Sequence, residues 1–100
     1  VLVRNLKTDQ TQEVRCAGVF LFVGFDPTSA FLPQAVEKDD AGFVVTDDEM
    51  ATSAPGIFAC GDVRRKHLRQ IVTACGEGAA AAYSALRHVE ELKGTTYPGR

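Results

Sequence analysis

Thr52-Ser53-Ala54-Pro55-Gly56-Ile57-Phe58-Ala59-Cys60-Gly61-Asp62-Val63 is the stretch on which the fold turns, and Leu68-Arg69-Gln70-Ile71-Val72-Thr73-Ala74-Cys75-Gly76-Glu77-Gly78-Ala79 follows it closely. Pro55-Gly56 punctuates the chain. Ile57 to Cys60 is a short apolar run stopped by Gly61-Asp62, which predicts a buried strand with a tight exit at Gly61. From Gln70 to Lys93 the period becomes helical. Ile71, Cys75, Ala79, Ala82, Leu86, Val89 and Leu92 recur at spacings of three and four, while Glu77, Arg87, Glu90, Glu91 and Lys93 mostly lie off that stripe. Gly94 is placed to end the helix as a left-handed residue. Such a helix spans about 36 Å, more than a chain of this size can cover by itself.

Two details of this helix bear on function. Gly76 and Gly78 each cost about 1 kcal/mol relative to Ala in a helix interior. With Ala79 to Ala82 they would let a sheet, another backbone or a bulky planar ligand approach closely, and these readings are compatible. No Ser, Thr, Asn or Asp directly precedes Arg69-Gln70, so an ordinary side-chain cap is not evident. The first-turn N–H groups could face a ligand acceptor, with Arg69 or Gln70 helping to hold it, or be capped by water or a loop residue.

Upstream, Val1 to Leu6 and Gln12 to Cys16 are β-prone runs around the polar segment 7–11, which predicts a hairpin. Val19-Phe20-Leu21-Phe22-Val23 between Gly18 and Gly24 predicts a fully buried, parallel strand. A turn at Phe25 to Ser29, a short helix or ordered loop over Ala30 to Val36, and a short strand at Phe43-Val44-Val45 follow. The acidic residues between 37 and 49 read as a solvated edge, since their spacing matches no calcium loop. The end, 95–100, reads as a flexible tail. Val1 is not an initiator methionine and enters an apolar run in mid-course, so the chain reads as a fragment or cleavage product; it has no signal-peptide pattern.

Composition excludes several classes. With 45% apolar residues and four prolines in 100, the chain is not a disordered one. There is no apolar run long enough for a membrane span. A net charge of −2 gives no electrostatic basis for nucleic-acid binding, and the short basic cluster at Arg64, Arg65, Lys66, His67 and Arg69 lacks interleaved aromatics. Cys16, Cys60 and Cys75 form no Cys-x-x-Cys and, with His67 and His88, no metal pattern. They read as structural thiols, Cys16 and Cys60 beside apolar runs, in a reducing, cytoplasmic setting.

Gly18 to Gly24 with Pro27, the Gly-Ile-Phe-Ala-x-Gly-Asp stretch at 56–62, and Arg69-Gln70 with Gly76-x-Gly78 together resemble the C-terminal part of the low-molecular-weight thioredoxin reductases. The resemblance covers residues 1 to 94. It implies an α/β fold: a partial doubly wound FAD/NAD(P)-binding fold with a β-hairpin, buried strands and one long C-terminal helix. Residues 1–24 would end an NAD(P)H-binding domain, and 25–94 would form the return crossing and last part of an FAD-binding domain. Asp62 would hydrogen-bond the ribityl chain of FAD, Arg69 and Gln70 would lie beside the flavin ring, and the Ile71 N–H would face a pyrimidine carbonyl. Gly61 allows the tight exit that precedes Asp62.

The family reaction carries electrons from NADPH through FAD and an upstream Cys-x-x-Cys to a thioredoxin-like protein, in a dimeric enzyme. This chain has neither a Gly-x-Gly-x-x-Gly nor a Cys-x-x-Cys, so no catalytic residue is assigned and the isolated chain is expected to be inactive. Its turn Gly24-Phe25-Asp26-Pro27-Thr28-Ser29 departs modestly from the family pattern. Ferredoxin–NADP reductases of the same branch, and a non-catalytic structural or oligomerisation module, are the alternatives.

Overall fold

The computed structural model describes residues 1–95. Its regular elements are a hairpin of β1 (Leu2–Arg4) and β2 (Thr11–Glu13), a one-turn 3-10 helix (Gly61–Val63) and a long helix α1 (Ile71–Lys93). The strands are antiparallel, with Leu2 opposite Glu13, Val3 opposite Gln12 and Arg4 opposite Thr11. Asn5 shapes the connection, its Oδ1 accepting the N–H of Lys7 and of Thr8 at 2.9 and 3.3 Å. Asp9 takes φ 58°, a conformation its short polar side chain tolerates.

Residues 29–66 form a layer of turns joined by single β-bridges rather than a sheet. Val44 bridges both Lys38 and Arg64, Thr46 pairs with Thr52, and Ala51 with Phe58. Val44 is fully enclosed and forms the core with Val36 and Ala54, against which Leu32, Ile57, Ala59 and Val63 pack. Two acidic residues hold the turns of this layer. Asp39 Oδ1 accepts the N–H of Ala41 and Phe43, and Asp47 Oδ1 accepts the N–H of Glu49 and Ala51. The acidic stretch is therefore a set of side-chain-closed turns, more than a solvated edge. The 30–36 segment is the ordered loop of the two expected forms.

The partial α/β character holds: a hairpin and one long C-terminal helix. Three expectations are corrected. Residues 18–24 form no strand and are exposed, Phe20 and Val23 to 97%. A buried parallel strand needs ladders on both edges and cover on both faces, and no described strand lies beside this one. Ile57 to Cys60 contributes a single bridge and is only half-buried up to Ala59. Cys16, Cys60 and Cys75 are all exposed: Cys16 leads into the unpacked 18–24 arm, Cys60 follows the half-buried run at its exit, and Cys75 lies on the solvent side of α1.

The helix also packs on an unexpected side. Its stripe at Ile71, Cys75, Ala79, Ala82, Leu86, Val89 and Leu92 faces solvent throughout. The side turned inward carries Ala74, Glu77, Gly78, Ala81, Ser84, Ala85 and His88. Small residues there let the turns approach: Ser84 Oγ donates to Glu49 at 3.3 Å, and His88 lies edge-on to Phe58. Gly94 ends the helix at φ 64° as the spacing predicts. The hairpin and the extended arm after it stretch the molecule to 69 × 27 × 20 Å, with a radius of gyration of 20.6 Å. A compact chain of this length would have about 13 Å. The expected flexible tail falls, beyond Thr95, outside the described residues.

Candidate functional site

The approach of the 3-10 turn to the first turns of α1 creates the site. Gly61 takes φ 79°, which a side chain resists, and a Cβ on it would stand 3.6 Å from the Ala74 Cβ. This conformation turns the chain at the end of the Ile57–Cys60 run, as the sequence predicts.

Asp62, Arg69, Gln70 and Ile71 line one open cleft of about 470 Å³, together with Ala74 and Cys75. Gly61 lies directly behind Asp62 and packs toward Ala74. All five residues singled out from the sequence are thus brought to one place. Asp62 also lines a neighbouring cleft with Phe25, Pro27, Thr28 and Phe43, so the residue borders both depressions. It is exposed and makes no ion pair among the described residues.

Arg69 is half-buried and partly committed. Its Nε donates to the Asp62 carbonyl at 3.1 Å and one terminal nitrogen to the Arg64 carbonyl at 3.2 Å. The guanidinium carbon lies 3.9 Å from the centre of the Phe43 ring and 5.6 Å from that of Phe25. Arg69 therefore ties the 3-10 turn to the 25–28 and 43 segments while still presenting guanidinium N–H groups to the cleft.

Gln70 is the residue before the helix. Its N–H donates to Thr73 Oγ1 at 3.3 Å, and the Thr73 hydroxyl donates back to the Gln70 carbonyl at 2.9 Å. Gln70 and Thr73 thus form a reciprocal capping box, the Gln70 side chain accepting the Thr73 N–H, where the sequence showed no ordinary cap. The N–H groups of Ile71 and Val72 find no acceptor among the described residues. They leave the positive end of α1 open toward the cleft.

Beneath the cleft lies a residue the sequence reading did not single out. Glu77 Oε2 accepts the Gly61 N–H at 2.7 Å, while Oε1 receives Lys66 Nζ at 2.9 Å and an Arg64 nitrogen at 3.1 Å. These side chains are only 12–16% exposed. Burial pushes the Glu77 pKa up, but the Lys66 hydrogen bond, the Gly61 amide and the bond and charge of Arg64 outweigh it and hold the carboxyl below its ordinary value. The available signal was spacing: Glu77 shares the Ala74, Gly78, Ala81 face and is flanked by two residues without side chains. The same anchoring absorbs Arg64 and Lys66 from the basic cluster.

Residues 2–78 match the family described as pyridine nucleotide-disulphide oxidoreductase. The chain belongs to that family. It is 50% identical over 93 residues to a thioredoxin reductase of Treponema pallidum, covering 93% of this chain and 30% of the relative. It is 58% identical over 77 residues to that of Listeria monocytogenes, covering 76% and 24%. Among solved structures, the thioredoxin reductase of Lactococcus lactis superposes with a TM-score of 0.75 at 47% identity, over 90% of this chain and 30% of that one. That of T. acidophilum superposes at 0.74 with 33% identity, covering 91% and 30%. The chain thus spans about a third or less of the length of these relatives. Of its recognisable motifs, the Asp62 and Arg69-Gln70 positions line the cleft between the 3-10 turn and α1.

Proposed function

We propose that these residues are the FAD-contacting segment of a thioredoxin-disulfide reductase, in which electrons pass from NADPH through FAD and an upstream Cys-x-x-Cys to a thioredoxin-like protein. In this reading residues 1–24 close an NAD(P)H-binding domain and 25–94 complete an FAD-binding one. The observation that carries it is the gathering of Asp62, Arg69, Gln70 and the Ile71 N–H around one cleft. The donor set fits the group. An unpaired carboxylate suits sugar hydroxyls, and open helix amides and a guanidinium suit carbonyl oxygens.

When bound, FAD supplies two-electron redox chemistry between a nicotinamide and a disulfide. The chain's own residues bind and orient. Asp62 would accept ribityl hydroxyls, and Arg69 and Gln70 would border the ring. The Ile71 amide, at the positive end of α1, would stabilise negative charge on the facing carbonyl edge. The chain brings no hydride-donor site and no attacking thiol pair, so on its own it reduces no disulfide. The same reading places it in the cytoplasm, which three thiols without a disulfide support. It also makes it part of a homo-oligomer, which the exposed apolar side of α1 supports. Among the described residues no helix is long and apolar enough to cross a membrane.

The test is titration of the chain with FAD, followed by flavin fluorescence, after its intact mass is confirmed. Saturable binding with a Kd on the order of micromolar, weakened at least about tenfold in Asp62→Ala and Arg69→Ala, is the expected result. No saturation up to about millimolar FAD overturns a flavin site in this chain. Twice the monomer mass in sedimentation without flavin uptake would favour the association module instead.

A further inference from the structure

We propose that Glu77 is the positioning residue of this site: its carboxylate fixes the Gly61–Asp62 peptide against α1 and so sets where the Asp62 carboxylate stands, an inference that rests on the flavin reading above. Gly61 and Asp62 belong to a three-residue 3-10 turn, too short to hold its own orientation. Val44 N–H donates to the Val63 carbonyl at 2.9 Å and Arg69 Nε to the Asp62 carbonyl at 3.1 Å, but neither bond engages the Gly61 amide. The Gly61 N–H would otherwise point at the helix with no acceptor, and Glu77 Oε2 takes it at 2.7 Å. The remaining oxygen, Oε1, gathers Lys66 and Arg64 from the other end of the same loop. Arg64 continues outward, its Nε donating to Thr46 Oγ1 at 2.6 Å. One carboxylate thus fastens both ends of the 61–66 loop, between which Asp62 projects, and links it to the core layer.

The chemistry favours a carboxylate over any neutral residue. Oε2 makes a charge-assisted bond to a backbone amide, and Oε1 faces two cations. A glutamine could keep the amide bond with its oxygen, but its NH2 would then face Lys66 and Arg64 as donor against donor. Glu77 does not line the cleft, so it acts through Gly61 and Asp62.

The experiment compares the wild-type chain with Glu77→Gln in FAD titration, with circular dichroism of the helix and the amide proton shift of Gly61 as parallel readouts. The expected result is a Kd raised about tenfold or more, the scale of one lost charged hydrogen-bond pair, with helix content retained. The Gly61 amide proton should move upfield as its charged acceptor becomes neutral. Equal FAD affinity for both proteins overturns the inference and leaves the flavin reading standing. Absence of binding by the wild type overturns the flavin reading and this inference with it. If Glu77→Gln loses its helix, Lys66→Gln replaces it as the variant. About threefold or more weaker binding then supports the positioning role, and unchanged affinity overturns it.

Discussion

Glu77 is where a single residue decides most. Its side chain reaches the Gly61 amide, Lys66 and Arg64, and these partners together lower its pKa from the ordinary 4.5 despite burial. A carboxyl with a depressed folded-state pKa contributes stability that is fully present above its unfolded value. That contribution is lost as pH falls through the lowered folded value. Urea-denaturation midpoints of the wild type should therefore fall more steeply below pH 4.5 than those of Glu77→Gln, with the difference between the two constant at higher pH. Parallel profiles through that range would count against the ion cluster. Gly61 was legible in sequence because a glycine ending an apolar run allows a tight exit, and Asp62 was singled out because its neighbours resemble a family motif. Glu77 was harder to find because its partners lie 11 to 16 residues away and only the loop's path brings them together.

At the scale of the element, α1 separates period from direction. The spacing gave a helix with Gly94 at its end, and the structure has Ile71–Lys93 closed by Gly94 in the left-handed conformation. The larger apolar stripe was the natural candidate for packing, yet Ile71 is 85% exposed and Ala81 and Ser84 are buried. Turns with projecting backbone pack more closely against alanine, glycine and serine than against leucine, so the small side is covered first. Gly76 and Gly78 meet nothing within this chain. Gly76→Ala is therefore expected to stabilise the isolated chain by about 1 kcal/mol in thermal denaturation, through helix propensity alone. If a planar ligand approaches this side of the first turns, the same substitution weakens FAD binding in the titration. A variant both more stable and unchanged in FAD affinity would show that the glycine serves packing outside these residues.

For the whole molecule, the core is small and local. Val44 is enclosed by Val36, Ala54 and the half-buried Leu32, Ile57, Ala59 and Val63. Val44→Ala should lower stability by about 2 kcal/mol, read as a reduced urea midpoint with unchanged helix limits. The hairpin and the exposed Val19 to Val23 run lie outside this core and should leave the same transition little altered when truncated to polar residues. The sequence by itself determined the hairpin, the long helix with its glycine stop, the tight exit at Gly61, and the family, because each rests on local backbone preference or on a motif of adjacent residues. Tertiary structure alone decided which side of α1 is covered, that the 19–23 and 57–60 runs do not join a sheet, and that Glu77 fastens the loop bearing Asp62. The reason is physical. Periodicity says that an apolar surface needs a partner, but only the arrangement of distant segments says whether these 100 residues provide one.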